Sequence, residues 1–227
     1  MKFALSIIAL IVAALVIPFF IPGTGKQEGV DPNANLPWQI ELDGQGGSRV
    51  FGVRPGVQTL GEVRAILGGE PEVAIIARPD EPGALEAYYA QLPLGFVLAK
   101  VILTVDVDPA AIIAMRERAP KAEYMESTTR KITLHPDDLA AAERLPVRAV
   151  AVIPTVNLDE ATIFQRFGQP AERLPVSNKR VHLLYPERGL DIVVDADGKE
   201  LLQYVAPRDF ALLREPLRKA AGGQSGG

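Results

Sequence analysis

"NLDEATIFQRFGQPAER", residues 157–173, reads as a short capped helix that stops at a glycine and is followed at once by a proline. Asn157 stands at the cap position with Glu160 three residues on, and Leu158, Ala161, Ile163, Phe164 and Phe167 supply an apolar surface. Gly168 can adopt a left-handed conformation at little steric cost, and Pro170 cannot continue the helix. Earlier in the chain "TLGEVRAILGGEPE", beginning at Thr59, does the same. Thr59 and Glu62 form a capping box, Leu60, Val63, Ile66 and Leu67 share one helix face, and Gly68, Gly69 and Pro71 end it.

Working outward, each helix is followed by strand patterns. After the first come "EVAIIA", "LEAYYAQL" and "AKVILTVDV"; after the second come "VHLLYP", "LDIVVDA" and "ELLQYVA", separated by "ERG" and "DGK", which are turn signals. Ahead of the first unit, "WQIEL" and "SRVFGV" flank "DGQGG" and predict a hairpin. Between the units, Asp108 and Pro109 open a helix over "PAAIIAMRERA", "KITL" is a short strand, "HPDDLAAAERL" is a helix with acidic residues in its first turn, and "VRAVAVIP" is a buried strand. The expected fold class is therefore α+β: two repeated helix-plus-antiparallel-sheet units of αβββ type, stacked on each other, after an N-terminal transmembrane helix.

That helix is read from "FALSIIALIVAALVIPFFIPG", an uncharged apolar run of about 20 residues, the length that crosses a bilayer. A cleaved signal peptide is the alternative, although the run exceeds the usual apolar region and no A-x-A-like site follows. Lys2 precedes the span while Lys26, Glu28 and Asp31 follow it, which places the N-terminus in the cytoplasm by the positive-inside bias. The expected division is 1–23 anchor or signal peptide, 24–37 linker, 38–108 first unit, 109–146 connecting helices and strand, 147–213 second unit and 214–227 flexible tail. The location implied is a bacterial inner membrane, single-pass, with the C-terminal part in the periplasm.

Composition narrows the partners. With 24 basic and 28 acidic residues the net charge is −4, and no dense Lys/Arg stripe exists to neutralise phosphates, so nucleic acid is not expected. The chain has no cysteine, which removes disulfides, thiolate metal sites and a thiol nucleophile.

The order helix, "FGQP", "VHLLYP", "LDIVVDADGK", "ELLQYV" resembles the small outer-membrane assembly lipoproteins called BamE or SmpA. Phe167, Gly168 and Pro170 match that family's helix ending, Tyr185 its aromatic strand, and Asp197 with Gly198 its hairpin turn; a fainter match surrounds Leu67, Gly68 and Pro71. Two such units in tandem are also similar to the β-lactamase inhibitory proteins, which present a concave sheet surface to an enzyme. The chain departs from the first family in lacking a lipid-attachment cysteine and from the second in lacking disulfides. The resemblance implies a periplasmic protein-binding or scaffold fold, and fold alone does not give function.

Candidate chemistry is sparse. A trio of Ser177, His182 and Asp191 can be drawn, with Asp191 on the strand beside His182, but no G-x-S-x-G elbow accompanies it. His135, before Pro136, reads as a helix-cap residue. Asp191, Asp195, Asp197 and Glu200 lack the register of a calcium loop, and a D-G turn accounts for Asp197 and Gly198. No catalytic residue, metal or cofactor is assigned. Tyr88, Tyr89, Tyr185, Tyr204, Arg208 and Phe210 are the candidate partner-binding residues, since sheet-face tyrosines serve binding as well as packing.

The expectation is a non-enzymatic, membrane-anchored periplasmic interaction or scaffold module serving envelope assembly or maintenance, with envelope proteins as partners. The alternatives are a carrier of a small apolar ligand or lipid, and a secreted enzyme inhibitor. An enclosed apolar pocket favours the carrier.

Overall fold

The structure, a computed structural model, describes residues 34–125 and 128–223. The expected membrane anchor, most of the linker and the last residues of the expected tail lie outside the described residues. Among the described residues no helix is long and apolar enough to cross a membrane.

Two stacked αβββ units are not what forms. The described residues build one ten-stranded antiparallel sheet with five short helices, and this corrects the expected fold class. A separate two-stranded ribbon, β1 (Glu41–Leu42) and β2 (Ser48–Arg49), precedes it. The strands of the large sheet are β3 (Glu72–Ala77), β4 (Ala84–Leu94), β5 (Val97–Val105), β6 (Lys121–Tyr124), β7 (Arg130–Thr133), β8 (Val147–Pro154), β9 (Glu172–Pro175), β10 (Arg180–Tyr185), β11 (Leu190–Asp195) and β12 (Leu201–Tyr204). Their spatial order is β6-β7-β3-β4-β5-β8-β12-β11-β10-β9.

The seam between β5 and β8 decides this. Ala99 pairs with Pro154, Val101 with Val152, Leu103 with Val150 and Val105 with Val147. Both strands are largely apolar on both faces, Lys100, Thr104 and Arg148 excepted, as expected for strands in the middle of a sheet. Two separate sheets would have left "VILTV" and "VAVIP" as long, flat, apolar edges with unpaired backbone groups, which is the arrangement natural sheets avoid.

Pairing across the seam aligns the side chains into continuous rows. On one face Tyr89, Val101, Val152, Leu202, Ile192 and Leu183 run across six strands, and Ala87, Leu103, Val150, Tyr204, Leu190 and Tyr185 form a second row. This face holds the main core. Over it lie α1 (Leu60–Leu67) with Leu60 and Val63, α3 (Pro136–Ala142) with Ala142, and α4 (Glu160–Phe167) with Ile163 and Phe167. Ile112 and Met115 of α2 (Pro109–Arg118) join the same core. Trp38 packs edge-on against Phe167 at 6.3 Å between ring centroids, and Phe51 edge-on against Tyr204 at 5.3 Å.

The duplicated helix ending is present in detail. Gly68 closes α1 at φ 70°, ψ −179° and Gly168 closes α4 at φ 75°, ψ −171°, in both cases donating its N–H to the carbonyl four residues back. The α1 capping box forms as read, with the Glu62 carboxylate accepting from Thr59 N–H at 2.8 Å. At α4 the cap is Asp159, whose Oδ1 accepts from Thr162 N–H at 2.7 Å, and not Asn157. Asn157 accepts instead from the Lys199 ammonium, which also donates to the Thr155 carbonyl at 3.0 Å. Two residues able to cap, Asn157 and Asp159, lie within three positions, and the one adjacent to the first helical turn has the shorter reach to its orphan N–H groups.

Residues 214–223 belong to a fifth helix, α5 (Ala211–Gly223), where a flexible tail was expected. Leu213 and Leu217 bury against Ala149, Leu184, Val205 and Phe210 on the second face of the sheet. Arg214 and Arg218 both pair with Glu172 of β9, at 3.2 and 3.1 Å. The ending "GGQSGG" had obscured an amphipathic stretch ahead of it.

Candidate functional site

The second face of the sheet is the polar one, and the row that crosses it carries the site. Tyr88, Ile102, Ala151, Gln203 and Asp191 stand side by side on β4, β5, β8, β12 and β11. One step along the strands, Glu86, Thr104 and Ala149 form the next row. Between these rows and the start of α2 lies a cleft of about 430 Å³, within the size range of small-molecule sites. Its floor is Glu86, Ile102, Thr104, Ala149, Ala151 and Gln203; Asp108, Pro109 and Ile112 form one wall, with Asp106 and Arg148 beside it.

Glu86 is the unusual member. It is 7% exposed and has no hydrogen-bond or ion-pair partner among the described residues. Burial in these surroundings pushes its carboxyl up to about 8, so at neutral pH it carries a proton and can donate as well as accept. A buried polar group left without a partner costs stability, and such groups concentrate where a ligand completes them.

Behind the cleft, Gln203 Nε2 donates to Asp191 Oδ2 at 3.1 Å, and His182 Nδ1 lies 2.8 Å from the same oxygen. His182, Asp191 and Gln203 are all buried, and Asp191 Oδ1 has no partner among the described residues. Burial raises the Asp191 carboxyl, opposed by the hydrogen bonds from His182 and Gln203. Arg148 Nη1 stands 3.4 Å from Asp106 Oδ1, while its buried Nε is unpartnered.

The expected Asp191–His182 contact is therefore present, but the hydrolytic trio is not assembled. Ser177 lies in the turn between β9 and β10, where its Oγ accepts from the N–H groups of Lys179 and Arg180 at 3.3 and 3.1 Å; among the described residues nothing joins it to His182. The acidic run disperses likewise: Asp195 pairs with Arg180, Asp197 with Lys179, and Glu200 accepts from the buried Leu158 N–H at 2.9 Å. His135 caps α3 as read, accepting from Asp137 N–H at 3.3 Å.

The six candidate partner-binding residues scatter. Tyr204 is fully buried with its hydroxyl donating to the Pro37 carbonyl at 2.9 Å, and Tyr185 donates to the Gly168 carbonyl at 2.9 Å, tying β10 to the end of α4. Tyr89 is buried in the main core, and burial pushes its phenol, like that of Tyr185, up to about 12. Phe210 is buried beneath α5. Tyr88 is half-buried on the second face and Arg208 is exposed after β12. Four of the six thus serve the core. Exposed apolar side chains stand elsewhere, among them Phe96 (59% exposed) and Leu98 (38%) at the β4–β5 hairpin and Val156 (52%) after β8, with Thr155 N–H and hydroxyl both donating to the Leu98 carbonyl.

Sequence reading missed Glu86, Thr104 and Gln203. In "LEAYYAQL", "AKVILTVDV" and "ELLQYVA" each is the polar partner in a period-two alternation, which ordinarily marks the solvent side. Their burial follows from pairing across five strands, which the alternation does not encode.

No family model, no curated protein and no solved structure matches the chain.

Proposed function

We infer that the chain is a non-enzymatic binding module that holds a small, largely apolar molecule in the cleft on the second face of its sheet. The observation that carries this is Glu86, buried, unpartnered and set in the floor of that cleft beside Ile102, Ala149 and Ala151. The apolar run at the N-terminus supports attachment to a bacterial inner membrane with the folded part in the periplasm. Full-length protein isolated from native membranes and sprayed intact into a mass spectrometer is expected to carry a bound small molecule. Ala151→Leu, which places a larger side chain in the floor, is expected to remove it, and equal occupancy in both would overturn the reading.

A second reading, docking of an envelope protein, is favoured by the apolar group of Phe96, Leu98 and Val156 at one end of the central strands. Photocrosslinker placed at Phe96 in native membranes tests it; one reproducible adduct supports it and none removes it.

A further inference from the structure

We propose that the molecule the cleft takes is an organic amine: an apolar chain or ring bearing an ammonium group, with the nitrogen set against the Glu86 carboxyl and the Gln203 side-chain carbonyl. This rests on the reading of the cleft as a ligand site and adds the chemistry of the ligand's head group.

The polar groups at the floor are short of donors. The Gln203 amide spends its Nε2 on Asp191, a carboxyl already contacted by His182, so its Oε1 is the atom left over. The Glu86 carboxyl has no hydrogen-bond or ion-pair partner among the described residues. The Thr104 hydroxyl, opposite Glu86 on β5, can accept as well as donate. Arg148, which lines the cleft, is directed to Asp106. A ligand head that brings N–H donors satisfies all of these acceptors; one that brings only acceptors can take the Glu86 and Thr104 hydroxyl protons but leaves the Gln203 carbonyl bare.

Charge points the same way. Asp106 and Asp108 border the cleft against the guanidinium of Arg148, even though Asp108 Oδ1 is engaged by Ala110 N–H at 2.8 Å. A carboxylate-bearing ligand such as a fatty acid would add a negative charge beside Asp106 and Asp108 and bring no donor for the Gln203 carbonyl. The walls supply the apolar part: Ile102, Ala149 and Ala151 from the sheet and Ile112 from α2.

Binding is then linked to protons. In the free protein the carboxyl of Glu86 is protonated at neutral pH, and an ammonium placed against it favours the carboxylate, so the proton leaves to solvent as the ligand enters. The other ionisable groups on this face of the sheet and around the cleft include Asp106, Asp108 and Arg148 at the mouth, the Asp191–His182 pair behind Gln203, Tyr88 two residues along β4 with Glu72 opposite it and paired to Lys131, and Lys100 two residues along β5 from Ile102. Affinity is expected to rise about tenfold per pH unit from roughly pH 5.5 to 7.5, the interval below the Glu86 titration.

The test is calorimetry on the full chain in a zwitterionic detergent with three probes of equal length, hexylamine, 1-hexanol and hexanoate, in buffers of different ionisation heat. The expected result is hexylamine at least tenfold tighter than the other two, with close to one proton released at pH 7, and loss of both the preference and the proton release in Glu86→Gln. If hexanol or hexanoate binds as well as hexylamine and Ala151→Leu abolishes it, the amine assignment falls while the cleft stands. If no probe binds wild type above the detergent blank, or binding survives Ala151→Leu unchanged, the cleft reading falls and the amine with it.

Discussion

Nδ1 of His182 lies 2.8 Å from Oδ2 of Asp191 on the neighbouring strand, and both side chains are almost wholly out of water. Gln203 contributes a second donor to the same oxygen from the next strand over. Removing one member leaves the other uncompensated, so His182→Ala is expected to cost about 3–5 kcal/mol. The double variant His182→Leu/Asp191→Leu is expected to recover part of that loss, because no buried charge is stranded. Urea denaturation of wild type, single and double variants checks this; additive losses would contradict it.

Glu86 gives the fold a pH dependence of definite sign. Its folded carboxyl titrates at about 8, against 4.5 ordinarily. Between those values the unfolded chain has released a proton that the folded chain retains. Stability is therefore fully present below pH 4.5 and declines as pH rises towards 8, with a ceiling of roughly 5 kcal/mol set by that interval. Glu86→Gln is expected to flatten the curve and to be more stable than wild type at pH 8, as read by denaturant midpoints at pH 5, 6.5 and 8.

The two assignments of the α4 cap separate by mutation. Asp159→Ala is expected to lower the thermal midpoint more than Asn157→Ala, since only Asp159 accepts from a first-turn N–H. Gly168→Ala adds a methyl that meets nothing within 4 Å, so its cost is conformational alone, on the order of 1–3 kcal/mol for a backbone region reserved for glycine.

Helix α5 is expected to behave as part of the core. Leu213→Ala and Leu217→Ala should each cost about 2–4 kcal/mol, whereas a solvated tail would show no change. Glu172→Ala, which releases Arg214 and Arg218 at the surface, should cost below about 1 kcal/mol. Denaturant titration of the three variants makes the comparison.

Much of the local structure was legible because it depends on near neighbours. Thr59 with Glu62, Asp108 with Pro109, His135 with Pro136, and glycine closure at Gly68 and Gly168 are interactions within four residues, and each forms where the sequence placed it. The short apolar runs "EVAIIA" and "VRAVAVIP" located β3 and β8 to the residue. Short, charged β6 and β9, two edge strands, gave no such signal.

What periodicity could not carry is which strand lies beside which. The repeated helix-and-strand grammar is equally compatible with two small sheets and with one large one, and only pairing of β5 with β8 chose between them. That choice buries the second face, converts the polar half of each alternation from solvent-facing to interior, and brings Glu86, Gln203, Asp191 and His182 from four strands into one region. Sequence by itself determined the elements and their caps, through backbone preferences and short-range hydrogen bonds. The site was decided by the tertiary structure, because contacts between residues as far apart as Glu86 and Gln203 follow from burying apolar strand edges and leave no trace in local order.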